Sequence, residues 1–338
     1  CSSDLSLLLA VLAEPLLLVR LFLGRPYLIS VAVLLFLCAN WRLLCEPWVS
    51  RARQGCLLAL LIAANWMHGS GFLWGLPVLA FLCARQWRGA IRLAWLTAVG
   101  VVVGAALSGH PLQFLWQGAA HAVRAAGGGW PSYLLVGEFQ PSSGSLQFLV
   151  CVGLIVAAAG RHRDLGAWAR NPVAWLAAIG WLLGLSSQRF WFDWGLPAAI
   201  FCLADLLETS LVAGRPYSRA ARVVATAVLA FALTLAVSAD HGRRWSNDLW
   251  RLYAPIYAPQ NRTWLPDRGG VLYNTDMNIF YLGVYLNPQM DYRFEVGFEP
   301  ALLPDRDLSE LREIQRRGVS DDALGIWVRR LRPIDRIA

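Results

Sequence analysis

Nine apolar stretches recur over the first 238 residues, at roughly 5–23, 27–40, 55–67, 72–83, 93–107, 145–160, 172–186, 196–213 and 223–238. Short breaks carrying arginine separate most of them. Several are shorter than the roughly 20 residues that cross a bilayer as a helix. Flanking Trp and Arg side chains can lengthen such a span by reaching to the interface. Stretch 5–23 contains Glu14, Pro15 and Arg20, so a bent or partly interfacial segment is expected there. Stretches 55–67 and 72–83 are short enough to form a helical pair instead of two full spans.

After residue 238 the pattern changes to that of a soluble domain. VLYNT (271–275) and DYRFEV (291–296) read as strands. DLSELREIQRR (307–317) reads as a helix, with Asp307 at its start and Arg316 and Arg317 at its end, as the helix dipole favours. DDALGIWVRRL (321–331) reads as a second helix. The expected fold is therefore mainly α. It is a polytopic transmembrane helical bundle of about 8–9 apolar segments, residues 1–238, followed by a small C-terminal extracytoplasmic α/β domain, residues 239–338.

Composition supports the membrane reading. Of 338 residues, 57% are hydrophobic and only 15% charged, with mean hydropathy +0.46. Soluble domains carry about 25% charged residues. The net charge of +8 falls entirely on residues 1–238, while the last hundred residues balance. A nucleic-acid binder would instead gather its basic residues on a polar face, so nucleic acid is excluded as a partner. All 30 basic residues are Arg, for which codon usage in a GC-rich genome is the simplest source. The seven Cys lie in or beside the apolar stretches or at the first position, without a C-x-x-C pair. Neither a disulfide framework nor a zinc site is expected from them. The first residue is Cys and the apolar pattern begins at once, so an N-terminal part is expected to be missing.

Charge also predicts sidedness. If the breaks alternate sides, 41–54, 84–92, 161–170 and 214–222 hold twelve Arg, and 24–26, 68–71, 108–144 and 187–195 hold three. The positive-inside rule places the first set in the cytoplasm. His68, the 108–144 loop, Arg189 and the tail then face outward. Many of the 17 Trp, including Trp41, Trp48, Trp87 and Trp116, fall near the expected interfaces.

Within NWMHGSGFLWG (65–75), His68 falls at an outward turn where Gly69 and Gly71 permit a tight reversal. Two readings stand. His68 ends a helix and bonds a neighbouring group, or it faces a polar cavity and contacts an anionic head group or moves a proton. The same face would carry Arg25, His110, His121, Arg124, Glu138, Arg189 and Asp193. Arg forks suit phosphate. A carboxylate beside them can act as a base or hold a divalent metal, and the pattern names no metal ligands. Asp205 lies within stretch 196–213, either paired with an inner Arg or functional. The tail acids around NTDMN lack EF-hand spacing and read as a solvated face.

These residues resemble a family. Arg25-Pro26 opening an apolar stretch, Asn65, His68, Gly69 and Ser70 before another, GEFQP (137–141) and QRFW (188–191) resemble bacterial polytopic glycosyltransferases of the GT-C type. The tail from VLYNT onward is similar to the outward C-terminal domain of such chains. The resemblance implies a bacterial inner-membrane enzyme that takes a sugar from a polyprenyl-phosphate carrier at the outer face. It implies Glu138 and His68 as catalytic groups, with Arg25, His110, His121, Arg124 and Arg189 binding substrate. The family's usual acid in the first outward loop has no counterpart, since Asp4 is out of place. Membrane lipid, a lipid-linked sugar donor and other membrane subunits are the expected partners. Two other classes remain open: a non-catalytic subunit scaffolding a larger complex, and a transporter using Asp205.

Overall fold

The computed structural model describes residues 26–48, 50–69, 71–126, 168–208, 259–297 and 303–338, with isolated positions between 3 and 21, at 153, between 220 and 234 and at 300. The chain divides into two compact units, Cys1–Val123 with Glu138–Gly242, and Arg124–Gly137 with Arg243–Ala338.

The first unit is helical. Helix α1 (Tyr27–Cys45) starts directly after Pro26, where the missing N–H costs nothing. Helix α2 (Arg51–His68) is capped by Ser50, whose hydroxyl accepts from the Arg53 amide. A 3-10 turn, Gly71–Trp74, leads into α3 (Gly75–Cys83). Then follow α4 (Trp87–Leu107), α5 (Pro111–Ala126) and α6 (Pro172–Gly184). Asn171 caps α6 by accepting from Val173, and Pro172 occupies its first turn. Helix α7 (Gln188–Leu207) contains a π turn at Trp191–Gly195.

Three of these helices, α1, α4 and α7, are long and apolar enough to cross a membrane. At 1.5 Å per residue their 19, 21 and 20 residues reach about 30 Å, the hydrocarbon thickness. The unit thus has the build of a membrane protein. The expected 8–9 spanning segments are not reached among the described residues. The 71–83 and 172–184 stretches are too short, and α2 opens with Arg51, Arg53 and Gln54. Stretches 5–23, 145–160 and 223–238 lie largely outside the described residues. The outer side of α4 presents Ile91, Trp95 and Val102, all exposed. Hydrophobic residues on that scale facing outward suit lipid better than water.

Packing inside the unit relies on close helix approach. Gly100 and Gly104, four apart on α4, face α2. A Cβ on Gly100 would come within 2.9 Å of the Leu61 Cβ, and one on Gly104 within 3.0 Å of the Asn65 Cβ and the Trp66 amide. Small residues spaced in this way let two helix backbones meet. The core between α1, α2, α3, α4 and α6 is filled by Leu34, Leu37, Leu57, Leu61, Trp74, Phe81 and Leu93. Trp74 packs edge-to-face on Trp194 of α7, with centroids 5.1 Å apart.

The loops fall at two opposite ends of this bundle. Ser30 and Leu44 mark the two ends of α1, about 20 Å apart along its axis. At the Leu44 end, Arg92 donates to the carbonyls of Leu44 (2.6 Å) and Glu46 (3.0 Å), and Gln86 donates to the Arg170 carbonyl. At the Ser30 end lie His68, Gly69, Phe114 and Arg189. The arginine-rich breaks 41–48, 50–54, 84–92 and 168–170 therefore share one end. The arginine-poor breaks at 26, 68–69, 71, 108–114 and 187–195 share the other.

The second unit is a small α/β layer. Strands β1 (Val271–Tyr273), β2 (Arg293–Phe294) and β3 (Arg336–Ile337) form a parallel sheet in the order β2-β1-β3. Parallel pairing needs crossovers, supplied by α8 (Met277–Leu286) between β1 and β2, and by α9 (Asp305–Arg316) and α10 (Asp321–Val328) before β3. Both predicted strands and both predicted helices occur, with shorter strands than the pattern suggested. The core is Tyr273, Val296, Leu311, Ile314, Ala323 and Trp327. Asn274 is fully buried. It fastens the ends of β1 and β2 by donating to the Val296 carbonyl (2.9 Å) and accepting from its amide (3.2 Å).

Candidate functional site

His68 is the last residue of α2, and Gly69 stops the helix. Gly69 takes the left-handed conformation (φ 65°), and its amide bonds to the Asn65 carbonyl at 2.9 Å. That is a glycine helix stop, which any side chain would strain. Gly71 is needed for a different reason. A Cβ there would come within 2.9 Å of both Asn65 Oδ1 and Val101. The reversal predicted around His68 is thus formed by two glycines with separate roles.

The His68 ring is half-buried and spoken for on both nitrogens. Ser30 Oγ lies 3.2 Å from Nδ1, and an Arg189 guanidinium nitrogen lies 3.0 Å from Nε2. A guanidinium can only donate. Nε2 must therefore be the accepting nitrogen, which puts the ring proton on Nδ1 and makes Ser30 Oγ its acceptor. The Tyr27 ring packs obliquely on the imidazole, with centroids 6.3 Å apart. Three separate segments, the start of α1, the end of α2 and the start of α7, meet at this point.

Arg189 is held from its other side by Asp193. Nε lies 3.6 Å from Oδ2, with side-chain exposures of 18% and 6%. These residues are four apart, and the π turn Trp191–Gly195 carries Asp193 back into the protein beside the guanidinium. The turn is tightly seated: a Cβ on Gly180 of α6 would overlap Gly195, and one on Gly184 would come within 2.7 Å of Trp191. Trp191 is buried, and its indole N–H donates to Glu14 at 3.3 Å. A buried carboxylate beside Arg189 keeps that cation tolerable in an apolar surround.

Asn65 adds a further polar group one turn before His68. It is buried, its amide nitrogen donates to the Leu61 carbonyl at 2.8 Å, and its Oδ1 has no hydrogen-bond partner among the described residues. The donor bond to Leu61 fixes which end of the amide is which. Oδ1 therefore faces the Gly71 turn as an acceptor.

Of the residues expected at this face, the structure brings His68 and Arg189 into direct contact. His110 lies exposed at the start of α5, where its carbonyl accepts from the Phe114 amide at 2.9 Å. His121 and Arg124 fall on the last turns of α5, where only the backbone is described. Arg25, Ser70 and Glu138 lie outside the described residues. Asp205 is exposed on α7. Ser30, the partner of His68 Nδ1, was not anticipated. The available signal was a serine one turn into the apolar first half of the helix.

Among the described residues, no three His, Cys, Asp or Glu side chains converge as metal ligands would. Chemically, the cluster offers a partly exposed guanidinium, an imidazole of fixed tautomer and a buried carboxylate in one row. Such a row can hold an anionic oxygen and relay a proton to or from it. No family model, no curated protein and no solved structure matches the chain.

Proposed function

We propose that the chain is, or is most of, a GT-C-like integral membrane glycosyltransferase that takes a sugar from a polyprenyl-phosphate carrier at the outer face of a bacterial inner membrane. The single observation that supports it is the contact between Arg189 and His68 at the arginine-poor end of the helical unit. In this reading Arg189 receives the leaving phosphate, and Asp193 and His68 hold its fork in place. His68, with its proton fixed on Nδ1 by Ser30, positions the phosphate or the acceptor. Glu138, or an Asp that precedes residue 1, serves as base, and Arg25, His110, His121 and Arg124 complete the anion site. Stabilising charge on the departing phosphate would be the main rate contribution. The bundle would carry the full set of 8–9 segments, with the C-terminal unit on the outer side.

The test is transfer from radiolabelled polyprenyl-phosphate sugars to lipid and protein acceptors in membranes containing the full-length gene product. Transfer that Arg189→Ala removes is the expected result. No transfer from any donor in a broad panel would overturn the reading.

Asp193 favours a second reading. It already neutralises Arg189, so the row can serve as a brace between α1, α2 and α7 in a non-catalytic membrane subunit. Stable co-purification of other chains, with their activity intact after His68→Ala, would select this reading over the first.

A further inference from the structure

Three residues separate α4 from α5, and Gly109 (φ 81°) makes the corner between them. Its inner side rests on the His68 turn. A Cβ on Gly69 would meet the Phe114 ring at 3.3 Å, and one on Gly118 would meet the Gly69 carbonyl at 3.6 Å. Phe114 and Gly118 are four apart and so share one face. A second face holds Leu112, Leu115, Trp116 and Ala119, at the i, i+3, i+4, i+7 spacing of a helical stripe. All four are exposed, Leu112 at 83% and Trp116 at 74%. Gln113 and Gln117, also exposed, form a polar edge about 100° further round.

We propose that α5 lies in the membrane interface, with the Leu112–Leu115–Trp116–Ala119 stripe in the acyl boundary, Gln113 and Gln117 toward water, and Phe114 clamping the His68 turn from above. The occupant of the stripe is lipid, for three reasons. The stripe starts one short corner after the end of α4, a helix of spanning length with exposed apolar residues, so its level is that of the bilayer surface. Trp prefers that level, where its ring is half apolar and half wet. The three faces of α5 also sort cleanly into protein-packed, apolar and polar, the arrangement of an interfacial helix. The consequence is functional. A helix seated by lipid holds the turn that carries His68, so bilayer composition and packing act directly on the His68–Arg189 contact.

The test is site-specific photocrosslinking of the full-length protein in vesicles of phosphatidylethanolamine and phosphatidylglycerol. p-Benzoylphenylalanine replaces Leu112, Gln113, Trp116 or Gln117 one at a time, and also Trp95 on the outer side of α4. Lipid adducts are read by mass spectrometry. Expected are adducts at 112 and 116 several-fold above those at 113 and 117, with 95 reacting as strongly as 116. Reaction at 95 with none at 112 or 116 would overturn the placement of α5. So would equal yields at all four α5 positions, which would mean an immersed helix. Failure at 95 as well would overturn the membrane assignment on which the placement rests. None of these outcomes depends on glycosyl transfer.

Discussion

Arg189 and His68 stand 121 residues apart in the chain, and the guanidinium of one donates to the imidazole of the other at 3.0 Å. The same guanidinium faces Asp193 through its Nε. Serving both partners needs a planar fork, which Lys lacks. Arg189→Lys is therefore expected to keep charge but lose one of the two contacts, at a cost of about 1–3 kcal/mol in unfolding free energy. His68→Ala removes the acceptor on the other side. Because the two residues share one bond, the double variant should lose less than the sum of the single losses, with a coupling of about 1 kcal/mol. Denaturant unfolding of the full chain in detergent measures all three. Simple additivity would mean that the contact contributes nothing to stability.

Two glycines on α4 carry the approach to α2, and a third on α2 serves as the control. Gly100→Leu and Gly104→Val place side chains where Leu61 and the α2 backbone already stand, so each should destabilise by about 1–3 kcal/mol through overpacking. Gly55 on α2 has open space around its Cβ position and an ordinary helical backbone. Gly55→Ala should stabilise by about 0.5–1 kcal/mol, since Ala loses less backbone entropy in a helix. Opposite shifts of the thermal midpoint in one detergent are the readout. A tolerated Gly100→Leu would show that α2 and α4 can separate without loss.

The sequence made some of this legible and hid the rest, for physical reasons. Counting Arg separated two sets of breaks, because short charged loops follow a strong partition rule. The contacts of Arg92 with Leu44 and of Arg189 with His68 place the described members of those sets at different ends of the bundle. Gly69 was legible as a stop because a helix end has few chemical solutions. The number of spans was not, because hydropathy alone does not separate α1, at 19 residues, from the 13-residue α6. Ser30 was invisible as a partner because its role depends on the register between α1 and α2, which no local pattern encodes. The spacing of Gly100 and Gly104 was present but unread, since a stripe of small residues gains meaning only when the facing helix is known.

Arg92 closes the end of α1. Its guanidinium takes the carbonyls of Leu44 and Glu46, which lie at the helix C-terminus and would otherwise lack donors. A cation there also suits the negative end of the helix dipole. Arg92→Leu should therefore cost about 1–2 kcal/mol and fray the last turn of α1, while Arg88→Leu, one turn away, should be near neutral. Hydrogen exchange at the amides of Leu43 to Glu46 is the check. Unchanged protection in Arg92→Leu would remove this role.

The C-terminal unit carries two carboxylates whose stability contributions run in opposite directions with pH. Asp335 accepts from the Val271 amide and from Arg332 through its backbone and side chain. The bonds from Arg332 hold its pKa down at about 2, against an ordinary 3.8. Its contribution is present above pH 3.8 and is lost as pH falls toward 2. Glu295 is the reverse case. Burial and then the neighbouring Asp307 push its carboxyl up to about 7, and Arg330, which also serves Asp307 and Glu310, only partly offsets them. Tyr273, whose ring lies under Arg330, and Arg306 complete the charged and titratable surround. Folded Glu295 therefore binds a proton that the unfolded chain has already released between pH 4.5 and 7. Stability falls as pH rises through that window, and the penalty is complete above 7. The amides of Leu311, Ile314 and Trp327 in the full-length protein should thus exchange from a more stable unit at pH 5 than at pH 8, after correction for intrinsic rates. Glu295→Gln should flatten that limb and protect the same amides at pH 8, leaving the acid limb to Asp335. A unit equally stable at pH 5 and pH 8, or a Gln variant with the same slope, would show that Glu295 is ionised throughout.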